Sequence, residues 1–384
     1  GRIEFRGSDA LRGIDEPGTP RLLSAEQSNA SIAFGDRLIL KLYRRLREGV
    51  QPDIEVARFL TEETDFTASP ALLGTIEWVE CDGRTTTLAA ASEFVRNQGD
   101  AWTYVTEALE RDMERQETAT EGDLPDDPLM GGGPLDLGKV LGRRTAELHL
   151  ALASGGPGSG FSSEDLTREN LAALADEALA ELARSLDRLE AEKTSLSEAN
   201  TALAERLLLR RRRLEARLAN LKGHAPSGGR CRIHGDYHLG QVLVAETDVV
   251  IIDFEGEPTR PLSERTARTS PLRDVAGMLR SFDYALWTTA RRRLDLGADP
   301  RATMRAVEDW RDATQGIFLD AYRETMGGAP LHPADPGLER DLLDTFLIRK
   351  AAYEVAYEMA MRPDWIDIPL RGLLALAQGE GVAE

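Results

Sequence analysis

Ile233-His-Gly-Asp-Tyr-His-Leu-Gly-Gln241, the run Val242-Leu-Val244, and Val249-Val-Ile-Ile-Asp-Phe-Glu-Gly-Glu-Pro258 form the stretch that decides the fold. Two apolar, β-branched runs flank Ala245-Glu-Thr-Asp248, which predicts a hairpin with a four-residue loop. Pairing of Val244 with Val249 places Gln241 opposite Ile252, beside Asp253. Asp236 lies just upstream, on an irregular segment between Gly235 and Gly240. One end of the hairpin therefore gathers a carboxylate, an amide and a second carboxylate. Phosphoryl transfer uses such a set: a carboxylate to orient and deprotonate a hydroxyl, and hard oxygen ligands for magnesium.

The order Asp, amide, Asp after a hairpin matches the protein-kinase pattern of catalytic Asp, metal-binding Asn and metal-binding Asp. The His234-Gly-Asp start resembles the aminoglycoside-phosphotransferase branch of kinase-like enzymes. Within it, His234-Gly-Asp-Tyr-His-Leu-Gly-Gln241 with Asp253-Phe-Glu-Gly-Glu-Pro258 is similar to maltokinases. Gln241 stands where most kinases carry Asn, a departure usual in maltokinases. The resemblance implies an α+β, bilobal, protein-kinase-like fold with a small β-rich N-lobe and a large, mainly helical C-lobe. It also implies ATP and magnesium as cofactors. His234 is expected to brace the loop, and His238 to brace it or face the substrate. A zinc pair from these two histidines would need a helix, which the glycines and adjoining strands oppose.

Upstream, Glu26-Gln-Ser-Asn-Ala-Ser-Ile-Ala-Phe34 enters a strand, Gly35-Asp36 turns it, and Arg37-Leu-Ile-Leu-Lys-Leu-Tyr43 returns. Alternation puts Ile39, Lys41 and Tyr43 on one face. Pro52 to Leu60 opens a helix, with Asp53 expected as N-cap and Glu55 in its first turn. A kinase arrangement wants a strand Lys aimed at the α- and β-phosphates and a helix Glu to hold it; Lys41 and Glu55 fit in type and order. No Gly-x-Gly-x-x-Gly precedes Lys41. Gln27-Ser-Asn-Ala-Ser31 occupies that turn, so Ser28, Asn29, Ser31 and backbone N–H groups are the candidates for cradling phosphate. Strand-like segments follow at 71–78 and 85–89. The connector Ser92-Glu-Phe-Val-Arg96, with Glu93 and Val95, is where adenine meets backbone groups in kinase-like folds. Asp100 and Trp102 resemble the maltokinase Gly-Asp-x-Trp element.

Residues 101–222 read as mainly helical, with Leu203, Leu207, Leu214, Leu218 and Leu221 near helical spacing. Arg210 to Arg213 read as the solvated side of that helix. Gly133-Pro-Leu-Asp-Leu-Gly-Lys-Val140 almost spells a P-loop, but Val140 replaces the hydroxyl that magnesium needs and no strand precedes it. It reads as a loop, Pro125 to Pro134, entering a helix with Arg143, Arg144 and His149. Beyond the hairpin, Pro271 to Phe282 is an amphipathic helix. In kinase-like folds an Asp here anchors the catalytic loop through its backbone, and Asp274 is placed for that structural role. In Leu347 to Ala360, Lys350, Tyr353, Glu354 and Tyr357 share a face, and Arg362-Pro-Asp-Trp365 follows. Aromatic and charged side chains of this kind bind sugars, and the segment resembles the maltokinase C-terminus.

These elements divide the chain into residues 1–20, a remnant of an N-terminal cap or linker; 21–97, a nucleotide-binding N-lobe; and 98–384, a C-lobe containing the catalytic hairpin 233–258. The 384 residues carry a net charge of −19, which disfavours nucleic acid as a partner. Cys81 and Cys231 make no disulfide or metal framework, pointing to a reducing, cytoplasmic compartment. No apolar run spans a membrane and no secretory signal is visible. The start at Gly1 suggests a fragment or processed form.

The resemblance implies the reaction ATP plus maltose to ADP plus α-maltose 1-phosphate, feeding α-glucan and glycogen synthesis from trehalose. It is closest to the maltokinase region fused behind trehalose synthase in some bacteria, so a fused or associated trehalose synthase is an expected partner. Asp236 would be the catalytic base. Gln241 and Asp253 would hold magnesium, Lys41 braced by Glu55 would position the phosphates, and His238, Glu255, Glu257, Lys350, Tyr353, Tyr357 and Trp365 would face the sugar. The rivals are a glucosamine or aminoglycoside kinase, whose ammonium Glu255 and Glu257 would meet, and a non-catalytic or tethering module of the synthase. A dead module would have lost Asp236, Lys41 or Asp253, and all three are present.

Overall fold

The computed structural model describes residues 1–16, 18–25, 29–49, 51–118 and 136–378. The N-terminal part holds strand β1 (Arg2–Gly7), the short helix α1 (Asp9–Arg12), β2 (Pro20–Ala25), β3 (Asn29–Phe34), β4 (Leu38–Tyr43), helix α2 (Pro52–Glu63), β5 (Leu72–Val79) and β6 (Thr85–Glu93). The six strands form one antiparallel sheet in the order β1-β5-β6-β4-β3-β2. The two-residue period of β4 separates two small cores. Tyr43 packs with Ile54 of α2, Leu72 and Ala90. Leu38 packs with Leu73 and Ala91 on the opposite side. Residues 2–7, within the segment 1–20, join this sheet: β1 pairs with β5 from Arg2↔Val79 to Gly7↔Gly74.

The C-lobe comprises α3 (Ala101–Thr118), α4 (Leu137–Leu152), β7 (Glu164–Asp165), α5 (Arg168–Glu192), α6 (Glu198–Leu208), α7 (Arg211–Asn220), β8 (Gly229–Arg230), β9 (Val242–Ala245), β10 (Asp248–Ile251), α8 (Leu262–Arg265), α9 (Leu272–Asp295), α10 (Pro300–Met326), α11 (Pro336–Met361) and α12 (Asp367–Gln378). One continuous core joins it, running through Leu182 and Leu186 of α5, Leu214 and Leu218 of α7, Val275 and Phe282 of α9, and Ile348 and Val355 of α11. The leucines expected on one helix are split between α6 and α7, with a turn at Leu209 and Arg210 between them, and Leu221 opens a 3-10 turn after α7. Leu209 falls off the apolar stripe and is 86% exposed there.

The register of the hairpin is as the alternation requires: Val244 faces Val249, and the Ile252 N–H donates to the Gln241 carbonyl at 3.0 Å. Pairing runs one step further, to Ala245↔Asp248, so the loop is two residues, with Glu246 at φ 51° taking the left-handed turn position. Arg144 of α4 grips Asp248 through Nε at 2.9 Å and through Nη2. Asp100 accepts the Thr103 N–H at 2.7 Å at the start of α3, and the Val244 N–H donates to the Gly99 carbonyl at 3.0 Å. The 97–102 segment thus ties the interlobe connector to the hairpin. The near P-loop is no phosphate cradle at its described end: Asp136 caps α4 by accepting from the Lys139 N–H at 3.1 Å. The expected loop Pro125 to Pro134 lies outside the described residues.

Helices α4 and α10 touch at Gly142, where an added Cβ would overlap the Phe318 carbonyl and meet Ala321 Cβ at 3.0 Å. Gly142→Ala must therefore push the helices apart. It is expected to lower stability by about 1–3 kcal/mol, as overpacking does, read as a drop in the denaturant midpoint at unchanged slope.

Candidate active site

The loop carrying Asp236 is held from below. Asp274, 2% exposed in the first turn of α9, accepts the His234 N–H at 2.7 Å through Oδ2 and the Gly235 N–H at 2.9 Å through Oδ1. His149 of α4, fully buried, reaches Asp274 Oδ2 with Nε2 at 3.2 Å, and its Nδ1 meets Tyr322 Oη at 3.1 Å. Burial opposes ionisation of Asp274, but His149 and the backbone donors outweigh it and hold the carboxyl below its ordinary range. His234 Nε2 bonds the Ile252 carbonyl at 3.0 Å, tying the loop to the hairpin end. Gly235 at φ 84° takes the conformation that lets the chain turn, with Gly256 Cα only 3.3 Å from where a Cβ would sit.

Among the described residues Asp253 is one of two non-glycine residues with positive φ, at 68°. Such strain, on the order of 1 kcal/mol, is offset by the ion pairs its carboxylate makes. Lys41 Nζ lies 2.7 Å from Asp253 Oδ1, 3.0 Å from Asp53 Oδ2 and 2.9 Å from Glu255 Oε1. Burial would lower the lysine, but these carboxylates hold its ammonium well above the ordinary value. Burial likewise opposes Asp253 ionising, and Lys41 overrides it, so that carboxyl sits low. Gln241 Nε2 donates to Asp253 Oδ2 at 3.3 Å.

The brace of Lys41 is therefore Asp53, not the expected Glu55. Gln51 occupies the N-cap position, Pro52 opens α2, and Asp53 is no cap. Asp53 instead accepts from Lys41, from the Tyr43 hydroxyl at 3.2 Å and from the Phe254 N–H at 3.0 Å. Glu55, two residues on and about 200° around the helix, faces the C-lobe and takes Arg232 at 2.8 Å. No sequence signal chose between them, because helix phase depends on where the cap falls.

A cleft of about 930 Å³ between the lobes is lined by Lys41, Ser31, Glu93, Val95, Gln241 and Asp253, a volume within the range of nucleotide-sized sites. Asn29 and His238 line it too. Ser28 lies outside the described residues. The Val95 carbonyl is taken by the Asn97 amide at 2.9 Å. His238 Nδ1 accepts the Gly240 N–H at 3.1 Å, and burial keeps its imidazole below the ordinary value. Glu255, expected at the sugar, instead meets Lys41 and accepts from Asn29 Nδ2 at 3.1 Å.

A second, narrower cavity brings Asp236 together with Glu257, Lys350, Tyr353, Arg273 and Arg349. Among the described residues no side chain hydrogen-bonds the Asp236 carboxylate. Glu257 is held low despite burial by Arg260 and Lys350. The shared face expected on α11 splits. Glu354 turns inward to Arg280, Tyr357 is 43% exposed and stacks on Tyr353 at 6.3 Å, and Trp365 lies under the guanidinium groups of Arg291 and Arg362. Neither Tyr357 nor Trp365 lines either cavity. For Tyr357 the reason is its distance along the helix: it points nearly the same way as Tyr353 but lies about 6 Å further along α11, past the end of the cavity. Arg273, Arg349 and Asp53 are site residues that motif reading passed over; each is an ordinary charged helix residue until its neighbours are known.

Fold and site together define a protein-kinase-like phosphotransferase with a small antiparallel N-lobe and a mainly helical C-lobe. The chain belongs to the phosphotransferase enzyme family (APH), whose family model matches residues 19–310. Among curated proteins it is similar to the glucosamine kinase of Streptacidiphilus jiangxiensis, at 26% identity over 351 residues, covering 91% of this chain and 71% of that protein. It is also similar to the glucosamine kinase of Mycolicibacterium smegmatis, at 27% over 362 residues, covering 93% and 79%. A solved glucosamine kinase, crystal form B, shares the fold with a TM-score of 0.74 at 24% identity, covering 98% of this chain and 81% of that one. A structure in complex with glucosamine, ADP and inorganic phosphate gives 0.73 at 24%, covering 97% and 79%. No described helix is long and apolar enough to cross a membrane.

The two carboxylates in the first turn of α2 separate by experiment. Asp53→Ala is expected to raise the KM for ATP roughly tenfold or more, as loss of a partner in a buried ion pair does. Glu55→Ala should leave that KM near the parent value and lower the melting temperature instead, because it strands Arg232, 4% exposed. Asp274 also sets a pH dependence. Its folded pKa is depressed, so its contribution is full above the unfolded value, about 3.9, and is lost as pH falls through the folded value. Denaturant titrations from about pH 7 to pH 3 should show stability declining below about pH 4. The decline should be shallower in Asp274→Asn.

Proposed function

We propose that this chain is an ATP-dependent kinase that phosphorylates a hydroxyl of a small sugar. The observation that supports this reading is Lys41 bonded from one lobe to Asp253 at the hairpin end, where Gln241 donates to the same carboxylate, beside the loop of Asp236 that His234 ties to that end. Asp236 accepts the proton of the sugar hydroxyl as its oxygen attacks the γ-phosphorus; the bond to the β-phosphate bridging oxygen breaks and ADP leaves. Lys41, steadied by Asp53, neutralises the α- and β-phosphates. Asn29, Ser31 and neighbouring backbone cradle them, and backbone of Glu93 and Val95 meets adenine. The Gln241 amide oxygen and the Asp253 carboxylate are hard oxygen donors, the type magnesium takes. When bound, magnesium neutralises charge on the phosphates. Positioning and charge neutralisation supply most of the rate in this chemistry.

Two observations bear on the sugar. The relatives named glucosamine kinase support an amino sugar. The charges of the Asp236 cavity support a neutral one. Glu181 is engaged by Arg349 at 3.1 Å and by Arg260 at 3.7 Å, and Glu257 by Arg260 at 3.2 Å and Arg273 at 3.7 Å. A substrate ammonium would compete with these arginines for each carboxylate, whereas sugar hydroxyls can accept from Arg273 and Lys350. Among neutral sugars the motif resemblance favours maltose, giving α-maltose 1-phosphate for α-glucan synthesis, with a fused or associated trehalose synthase as its source. Maltose, from the motif resemblance, is the first reading, and glucosamine, which the named relatives favour, is the second.

Radiolabelled γ-phosphate with a sugar panel tests this. Label on the anomeric oxygen of maltose supports the first reading, label on glucosamine the second, and no label on any sugar overturns both. Asp236→Asn should lose at least about a hundredfold in turnover on whichever sugar is labelled, the low end for a general base; near-parental turnover refutes that role.

A further inference from the structure

Arg280 of α9 is 2% exposed yet carries a guanidinium into the middle of the C-lobe. Its Nε and Nη2 donate to Glu354 Oε2 of α11 at 3.0 and 2.6 Å, and its Nη1 donates to Asp283 Oδ2 at 2.7 Å. Gln315 of α10 donates to the other oxygen of Asp283 at 3.0 Å. The backbone of α12 comes so close at Gly372 that a Cβ there would overlap the guanidinium. Four helices thus meet on one charge. A buried ion pair adds little stability over apolar side chains of similar volume. Its distinct contribution is direction, because guanidinium and carboxylate have a fixed hydrogen-bond geometry whereas apolar side chains slide.

Glu354 adjoins Tyr353 and follows Lys350 by four residues, and those two line the cavity with Asp236. Six residues before Arg280, about 9 Å along the helix, Asp274 holds the backbone that leads to Asp236. One helix therefore anchors both the reacting carboxylate and the helix that faces the acceptor. We propose that Arg280 is a positioning residue for the acceptor: through Glu354 it sets the rotation of α11, and so the placement of Lys350 and Tyr353 relative to Asp236. The proposal rests on this cavity being the sugar site. Arg280, Asp283, Gln315 and Glu354 do not line the nucleotide cleft, so the effect falls on the acceptor and not on ATP.

The test is steady-state kinetics with maltose and glucosamine as acceptors, together with ATP hydrolysis in the absence of sugar. Arg280→Met/Asp283→Asn/Glu354→Leu removes the charges together and strands none. The sugar KM is expected to rise about tenfold or more, while the KM for ATP and the sugar-independent hydrolysis stay at parental values. Glu354→Gln keeps the shape and an acceptor oxygen, and should restore the sugar KM to within about threefold of the parent. A folded triple variant with parental sugar KM overturns the proposal, as does a joint rise of both KM values. If the triple variant does not fold, Arg280→Lys decides by the same split: a raised sugar KM alone supports it, and an unmoved one overturns it. A parent enzyme that labels neither sugar fails the underlying reading and the proposal with it; a labelled sugar with unmoved variants fails the proposal alone.

Discussion

The arrangement depends on a carboxylate that never meets solvent. Asp274 takes two consecutive backbone N–H groups of the loop that presents Asp236, and it is ionised at neutral pH because His149 and those donors outweigh the cost of burial. Backbone N–H groups in a loop between glycines have no strand or helix partner of their own. Giving both to one buried acceptor stops the loop from choosing among turns. The hairpin end is fixed to the same loop through His234 and the Ile252 carbonyl, so the loop of Asp236 and the strand end before Asp253 share one tether.

A second constraint joins the lobes. Lys41 reaches out of the sheet and is shared by Asp53, Asp253 and Glu255, so one ammonium is held by side chains from α2 and from the end of the hairpin. The three carboxylate oxygens lie within 4.8 Å of one another, a spacing that repels unless a cation sits among them. Lys41 is that cation in the structure. Phosphates entering the cleft would draw on the same ammonium, so nucleotide binding and the charge balance of this cluster are coupled.

The Asp236 cavity is built differently, from helices packed on helices. Here buried charge links the helices: Arg280 with Glu354 and Asp283 in the interior, and Arg260, Arg273 and Arg349 around Glu181 and Glu257 at the cavity. Arginine suits both places because its planar fork satisfies more than one carboxylate at once.

Local pattern alone determined the hairpin, its register and the approach of Gln241 to Asp253, because strand alternation acts over a few residues and leaves one way to pair. It also determined that Lys41 sits on a strand before a helix with carboxylates in its first turn. Only the tertiary structure decided that Asp53 and not Glu55 holds Lys41, that Glu255 faces the lysine, that Tyr357 and Trp365 stand apart from the Asp236 cavity, and that β1 completes the sheet. Each of these is a question of helix phase or of contact between segments distant in sequence. A residue two positions along a helix points the other way, and neither its type nor its spacing says which neighbour waits there.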